Sequence, residues 1–512
     1  MSAKPTSDSP REIELKFALP GGRSGEATAA AIAVLAAARP RSLSSVYYDT
    51  PNGALRRAGL SLRVREQDDG AFVQTIKDGG DGVMNRGEWE AALDGPSPNL
   101  AAARPTPAGR VLAKGGALTP VFTVEAYRRT AEVVEGESRV ELSLDEGRVL
   151  ARGEEAGFAE LELELKDGPQ WGLFSLSRRL ATAADLTLSF TTKAERGFAL
   201  ARPPRSFAHK FEAPAITRRM TCAEAFPLTA KACLRQIAAN ADRLRHRASP
   251  EVIHQLRVGL RRLRSLLSLF KQMVGDARLP AIKAELKWVT GELDGARNLD
   301  VLLHGDYRRA LAQKEMAPGL KGLGARLRAA RRLAYARAAN SVESERFRRL
   351  LLDVLIWIEA GPWVEPASRS DAGQEPIAKF ARNQLAKRRR KILYRGRKLD
   401  TLDVEARHKL RIDAKKLRYA ADGFECLFDR PNRSKAFVAA LKDVQDTLGE
   451  LNDIAVGARL AQETATGEGR PETDTAFVAG RIAGMQKARV GPLTRRAEDA
   501  IDALADAKPF WK

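Results

Sequence analysis

Between residues 12 and 166 the chain repeatedly places ionisable side chains at every second position: Glu12, Glu14 and Lys16; Arg63 and Arg65; Glu88 and Glu90; Glu141 and Asp145; Glu160, Glu162, Glu164 and Lys166. Lys77, Arg128 and Lys193 add basic groups to the same region. The residue types are complementary. Carboxylates bind hard divalent cations such as Mg²⁺ or Mn²⁺, whereas Lys and Arg bind phosphate oxygens, so a metal-bound phosphate chain needs both. Apolar residues occupy the alternate positions, as in Ile13, Leu15 and Phe17 or Leu161, Leu163 and Leu165. Successive side chains on a strand point to opposite faces, so the charges share one face. A solvated outer face would explain this on one strand. Close pairs of both signs on five or more strands fit better a barrel with its apolar faces outward and its charges around a wet lumen.

A second set lies far along the chain. His254, Arg257, Arg261 and Arg264 are spaced three, four and three, as are His408, Arg411, Lys415 and Arg418, at an offset of 154 residues. Arg262 and Lys416 stand beside them. On a helix each set makes one stripe about 15 Å long. The stripe runs one residue beyond the apolar positions Ile253, Leu256, Leu260, Leu263 and Leu267, so long basic side chains can pack their stems and free their charges. Such stripes suit a polyanion. A metal at His254 or His408 is disfavoured by the neighbouring cations, and protonation on binding a polyanion suits these histidines better.

The elements that must carry these residues divide the chain. Runs at 12–17, 60–66, 72–77, 87–92, 121–130, 139–144 and 158–166 alternate with period two and predict antiparallel strands, with helices at 26–38 and 171–184. Prolines near residues 201–217 mark a linker. From about Met220 the spacing becomes helical. The fold class is therefore multidomain α+β: a β-barrel domain over 11–202 after a disordered start (1–10), a linker (203–217), and a helical domain over 218–512. That domain divides into two repeats, 218–362 and 377–512, because 293–300 and 448–453 resemble each other as the two stripes do. Charge follows the same division. Residues 1–200 hold 25 Lys and Arg against 28 Asp and Glu, a balance of −3, and the remaining 61 against 37 give +24, which makes up the net +21. No apolar run is long enough to span a membrane. Cys222, Cys233 and Cys426 form no CxxC pair, so the expected location is the cytoplasm.

The first two hundred residues resemble the CYTH family, the triphosphate tunnel metalloenzymes. The likeness rests on Glu12-x-Glu14-x-Lys16, Tyr47-Tyr48-Asp49-Thr50, Leu62-Arg63-Val64-Arg65, Gln74-Thr75-Ile76-Lys77, Arg86-Gly87-Glu88-Trp89-Glu90, the run from Glu160 to Lys166, and Lys193-Ala194-Glu195-Arg196-Gly197, in order along the chain. It implies an eight-stranded antiparallel tunnel that hydrolyses a triphosphate with Mg²⁺ or Mn²⁺. Glu12, Glu14, Glu162 and Glu164 would hold metal, and Lys16, Arg63, Arg65, Lys77, Arg128 and Lys193 would grip phosphates. Glu88, Glu90 and Asp145 would complete the acidic lining or orient water. Arg128 is chosen over Arg129 by its distance from Pro120 and Phe122. The helical half resembles the CHAD domain over about residues 218–510, through its two His-containing helices, Arg297-Asn298-Leu299-Asp300 and Asn452-Asp453. Asn298 stands within the usual Arg-Asp-x-Asp, and the second copy lacks the Arg. This likeness implies binding of long-chain polyphosphate along His254, Arg257, Arg261, Arg262, Arg264, His408, Arg411, Lys415, Lys416 and Arg418.

Together these readings predict a metal-dependent inorganic triphosphatase that releases phosphate and pyrophosphate from tripolyphosphate and could gather at polyphosphate granules. Hydrolysis of thiamine triphosphate or a nucleoside triphosphate, and a non-catalytic polyphosphate-binding role, remain open. Aromatic residues are sparse beside the basic stripes, so nucleic acid is not the expected partner. Dense basic runs at 387–391 and 326–332 fit an extended polyphosphate track and an ordinary helix surface equally.

Overall fold

The structure is a computed structural model, and it describes residues 11–19, 32–80, 83–203, 207–312, 317–466 and 473–512. Residues 1–10, the first part (26–31) of the expected helix at 26–38 and part of the expected linker lie outside the described residues; in the rest of the expected helix a short helix spans Ala33–Ala36.

Among the described residues nine strands follow one another in the first half: β1 (Arg11–Ala18), β2 (Arg41–Asp49), β3 (Leu60–Glu66), β4 (Phe72–Asp78), β5 (Asn85–Leu93), β6 (Thr119–Glu135), β7 (Ser138–Ala151), β8 (Glu154–Asp167) and β9 (Thr187–Leu188). Their order is β5-β4-β3-β2-β6-β7-β8-β1-β9, and β5 also pairs with β1. That last pairing closes an eight-stranded antiparallel barrel and leaves β9 as an extra strand on β1.

The expected alternation is carried through the register. Glu14 lies opposite Glu164 and Lys16 opposite Glu162; Asp145 lies opposite both Glu160 and Arg128. Charged residues therefore face inward in successive strands. Leu15, Phe17, Leu142, Leu144, Leu161 and Leu163 point the other way and are buried. Helix α1 (Gln170–Ala183) packs across β6, β7 and β8 on that outer side. Strand β2 is absent from the expected runs, because Arg41, Ser42, Ser44 and Ser45 break its apolar alternation.

The chain forms two compact units, and the first contains more than the barrel: it joins residues 1–207 to residues 345–360. The added helix (Glu345–Glu359) is buried from Phe347 through Ile358 at nearly every position, so it needs cover on several sides. It packs on α1 and β9 and is tied there by Arg178 to Asp353 at 2.8 Å and by Arg348 to Asp185 at 2.7 Å. In sequence this helix falls inside the expected first helical repeat.

The second unit is helical. Its main helices are Cys222–His246, Pro250–Leu269, Leu279–Glu292, Asp294–Leu302, Ala317–Glu343, Ile377–Gly396, Val404–Phe424, Pro431–Thr466 and Thr473–Asp506. Starts are chemically marked. Thr221 and Glu224 form a capping box, Ser249 caps a helix whose first residue is Pro250, and Asp403 caps the helix 404–424. Ile253, Leu256, Leu260, Leu263 and Leu267 are fully buried, as are Leu410, Ala414 and Leu417. The expected basic stripes run beside these core rows.

Because the helix 345–359 covers apolar surface of the barrel unit, residues 1–207 alone are expected to bind more of a hydrophobic fluorescent dye per mole than the whole chain. Adding a peptide of residues 345–360 should reduce the signal. Dye binding no greater than that of the whole chain would contradict the assignment of this helix.

Candidate active site and basic cluster

Four strands and one helix build the centre of the lumen. Arg128 on β6 makes a two-pronged contact with Asp145 on β7, Nε to Oδ1 at 2.7 Å and Nη2 to Oδ2 at 2.6 Å, and reaches Glu162 on β8 at 3.1 Å. Helix α2 (Lys193–Ala201) begins inside the barrel. Its Lys193 Nζ lies 2.7 Å from Asp145 and 2.9 Å from Glu162, and it also donates to Glu160. Lys16 on β1 contacts Glu162 at 2.7 Å and Glu160 at 3.4 Å.

Burial alone would drive these lysines neutral, yet the carboxylates outweigh it. Lys16 is held above its ordinary range by Glu160 and Glu162, and Lys193 further above by Asp145, Glu160 and Glu162. Burial likewise opposes the charge on Glu162, but Lys16, Lys193 and Arg128 hold its carboxyl well below the usual range.

Oxygen atoms of Asp145, Glu160 and Glu162 all lie within 4.8 Å of one another. Glu160 Oε2 is buried and accepts no hydrogen bond among the described residues. A compact set of hard oxygen donors, one of them a buried oxygen with only Arg196 Nη2 near it at 3.9 Å among the described residues, fits a divalent cation. Of the residues expected to hold metal, only Glu162 belongs to this group. Glu12 pairs with Lys77 at 2.7 Å, Glu14 with Arg86 at 2.9 Å and Glu164 with Lys166 at 2.8 Å. Burial, with Glu12 and Glu141 nearby, raises the Glu164 carboxyl, so these acids make a second, looser acidic zone. Glu88 joins Lys77 at 3.2 Å and Glu90 accepts from Thr75 at 3.0 Å.

Beside the compensated centre lies positive charge that is compensated less fully: burial opposes the charge on Arg63, but Tyr47 and Glu88 hold it above its ordinary range. Arg63 and Arg65, on β3, form no ion pair among the described residues. Arg65 Nε reaches the Ser45 hydroxyl at 3.3 Å, and Arg63 Nε is buried without a hydrogen-bond partner. Burial, then Arg63 and Arg128, bring Arg65 down to about 9. These arginines border a small cavity with Ser45, Tyr47, Arg128, Asp145 and Lys193. Tyr47 is buried, which opposes ionisation of its phenol, but Arg63 and Lys193 bring it below its ordinary range. Arg129 points elsewhere and donates to the Ala38 carbonyl at 2.8 Å.

In the helical unit the two stripes converge. Arg257 is brought down to about 9 by burial and then by Arg261, Arg297 and Arg411. Lys415 falls to about 6 through burial, Arg411 and Arg261. His254 is lowered to about 4 by burial and Arg297, and its Nδ1 is buried without a partner. Acids are few: Arg257 pairs with Asp294, and Asp453 stands 4.0 Å from Arg411. Other expected residues are engaged differently. Arg262 lies between the rings of Phe211 and Tyr419, 4.0 and 5.0 Å from their centroids, and contacts Asp422 at 3.3 Å. His408 Nδ1 meets Asn452 at 2.7 Å and Arg418 donates to Gln445 at 2.9 Å. Burial lowers Arg264 and Lys416. The dense basic runs are partly structural: Lys391 and Arg395 hold Asp413, Arg389 donates to the carbonyls of Leu504, Ala505 and Ala507, and Arg331 holds Asp300.

A CYTH family model matches residues 10–198, and a CHAD family model matches residues 229–462. The chain is a CYTH–CHAD two-domain protein. An inorganic triphosphatase of Haemophilus influenzae is 31% identical over 163 residues, which make up 31% of this chain and 46% of that protein. The chain thus spans about half of that relative's length. The crystal structure of the CHAD domain from the plant Ricinus communis is 28% identical, with a TM-score of 0.52, covering 60% of this chain and 98% of that one.

Within the CYTH domain, residues not singled out beforehand also face the lumen. Glu160 stood in view in its alternating run, and Arg86 beside Glu88. Nothing in their spacing showed that one would join Asp145 and the other Glu14. In the CHAD domain Arg297 joins the first stripe from the helix 294–302, and Asn452 and Asp453 sit within the helix 431–466, so neither motif is a loop.

The CHAD cluster makes stability depend on pH. Lys415 binds its proton less tightly in the folded state, so between about pH 6 and its unfolded value near 10.4 the unfolded chain holds more protons and stability rises with pH. Denaturant midpoints of the CHAD transition at pH 6.5 and pH 9 are expected to show this rise, and Lys415→Met should reduce it. An unchanged slope in the variant would contradict the placement of Lys415.

Proposed function

We propose that this CYTH–CHAD protein is a metal-dependent inorganic triphosphatase acting on tripolyphosphate, and that its CHAD domain binds long-chain polyphosphate. The observation that carries the first part is the union, in one lumen, of Arg63 and Arg65, which form no ion pair among the described residues, with the Asp145, Glu160 and Glu162 group. One side offers donors to phosphate oxygens and the other offers oxygen donors to a cation. A triphosphate with its metal supplies both. The similarity to a triphosphatase from Haemophilus influenzae supports the reading.

In this reading Arg63, Arg65, Arg128, Lys16 and Lys193 bind phosphate oxygens and align the chain. Asp145, Glu160 and Glu162 hold the divalent ion, Mg²⁺ or Mn²⁺, which when bound neutralises phosphate charge and polarises a phosphoryl oxygen. In the looser zone Glu12 and Glu88 keep Lys77 in place, Glu14 keeps Arg86 and Glu164 keeps Lys166, and with Glu90 these acids border the water that attacks. Glu164, whose affinity for a proton is raised, is the acid there suited to accept one from water. The water oxygen bonds to phosphorus, the bridging P–O bond breaks, and orthophosphate and pyrophosphate leave with one proton released.

Phosphate release from tripolyphosphate, thiamine triphosphate and ATP should be compared with Mg²⁺ and with Mn²⁺. Tripolyphosphate is expected to turn over fastest. Glu162→Gln should lower kcat by about 100-fold or more with an unchanged circular-dichroism spectrum, and wild-type turnover in that variant would sink the site assignment. For the CHAD domain, a bound polyanion restores the charge on Lys415, so binding of long polyphosphate at pH 8 should take up protons. Calorimetry in two buffers of different ionisation enthalpy reads this, and identical heats in both would contradict it.

A further inference from the structure

Lysines taken out of water in this chain have two kinds of surroundings. In the CYTH lumen Lys16 and Lys193 touch carboxylates and are held charged by them. Lys415, in the CHAD domain, is half-buried and forms no ion pair or hydrogen bond among the described residues. Its neighbours are basic. Arg411 stands one turn before it on the helix 404–424, and Arg261 and Arg257 act on it from the helix 250–269. The helix 431–466 supplies one acid, Asp453, which lies 4.0 Å from Arg411. The helix 377–396 also packs on 404–424, but its Lys391 and Arg395 hold Asp413 and its Arg388 lies beside Lys416, on the other side. Lys415 therefore lacks a counter-charge in contact with it, and burial followed by the arginines brings its ammonium down to about 6. At neutral pH its Nζ carries a lone pair. The arginines around it have donors to spare, since the Nε atoms of Arg257 and Arg411 are buried without hydrogen-bond partners.

A neutral amine is a nucleophile, and guanidinium groups with free donors bind phosphate. We propose that Lys415 is a covalent modification site for small acyl phosphates, whose phosphate group is held by Arg257, Arg261 and Arg411 while their acyl group passes to Nζ. The nitrogen attacks the acyl carbon, the bond from that carbon to the phosphate oxygen breaks, and the N–H proton leaves with the phosphate as hydrogen phosphate. No other reactant is consumed. Phosphate is the leaving group, so the arginines that collect the donor also stabilise the charge that develops on it. An acyl donor without phosphate gains neither advantage. Lys416 lacks this setting, because it faces Asp413 rather than those three arginines. The product is an amide that takes up no proton, so the modified cluster can present one cation fewer to a polyanion. The site needs only the amine and its arginines, and it stands apart from both the triphosphatase and the polyphosphate readings.

The test treats the full-length wild-type protein with acetyl phosphate between pH 7 and pH 9, and in parallel with p-nitrophenyl acetate, a donor that has no phosphate. Early acetylation at each lysine is read by mass spectrometry of the digested protein. With acetyl phosphate at pH 7, Lys415 is expected to react ahead of the exposed Lys409 and Lys442. From pH 7 to pH 9 its rate should change by less than about twofold, whereas theirs should rise about 100-fold. The preference for Lys415 over Lys409 should be about tenfold or more greater with acetyl phosphate than with p-nitrophenyl acetate. An unmodified Lys415 beside acetylated Lys409 and Lys442, or a Lys415 rate that climbs with pH as theirs does, would overturn the site. Equal preference with the two donors would overturn the hold of the arginines on the phosphate.

Discussion

A charge taken out of water must find an opposite charge, and both units of this protein are organised by how far that requirement is met. At the centre of the CYTH lumen it is met: Lys16, Lys193 and Arg128 face Asp145, Glu160 and Glu162, and each set holds the other ionised. A step away it is met less fully: Arg65 is buried beside Arg63 and Arg128 and binds its proton less tightly, whereas Arg63 keeps its charge against burial through Tyr47 and Glu88. The CHAD domain repeats the imbalance with Arg257, Arg261, Arg411 and Lys415. Burial first and like charges second make these groups costly to keep ionised, and the depressed proton affinities of Arg65 and Lys415 reflect that cost. An anion entering either place relieves it, so folding strain is converted into binding affinity.

Much of this was legible before the structure. Period-two alternation names the face on which Glu12, Glu14, Lys16, Glu162 and Glu164 lie, and closure of the sheet puts that face inside. Alternation does not give height along the barrel, which is set by register between strands. Asp145 pairs with Glu160 rather than Glu164, and that pairing decides which acids can share a cation. Strand β2 was harder to see, because its serines and its arginine give no apolar rhythm. It becomes a strand through its long pairings with β3 and β6, an instance of tertiary context overriding local signal.

In the helical half, a spacing of three and four residues places His254, Arg257 and Arg261 on one stripe and His408, Arg411 and Lys415 on another. It is silent on whether the stripes meet. Their mutual electrostatic influence shows that they do, with Arg297 added from another helix. Spacing also leaves the surroundings of each member open. Arg262 lies on the neighbouring face, stacked on Phe211 and Tyr419, and works in packing. The two histidines differ as well: His408 has Asn452 as a partner, while His254 Nδ1 has none. Equal sequence positions in a repeat need not have equal surroundings.

Helix α2 shows why a rule broken locally can point to a site. Its start is well specified, with Thr192 and Glu195 forming a capping box, yet its first residue is a lysine, at the end where the helix dipole disfavours positive charge by about 0.3–1 kcal/mol. Lys193 is tolerated because three carboxylates from β7 and β8 surround its ammonium group. Four residues on, Gly197 lets the helix lie against Phe122, so the segment that delivers Lys193 to the acids also fills the barrel behind them. A side chain at residue 197 would push the helix off Phe122 and draw Lys193 away from Asp145. Closure of the lumen and placement of the lysine are therefore one structural event.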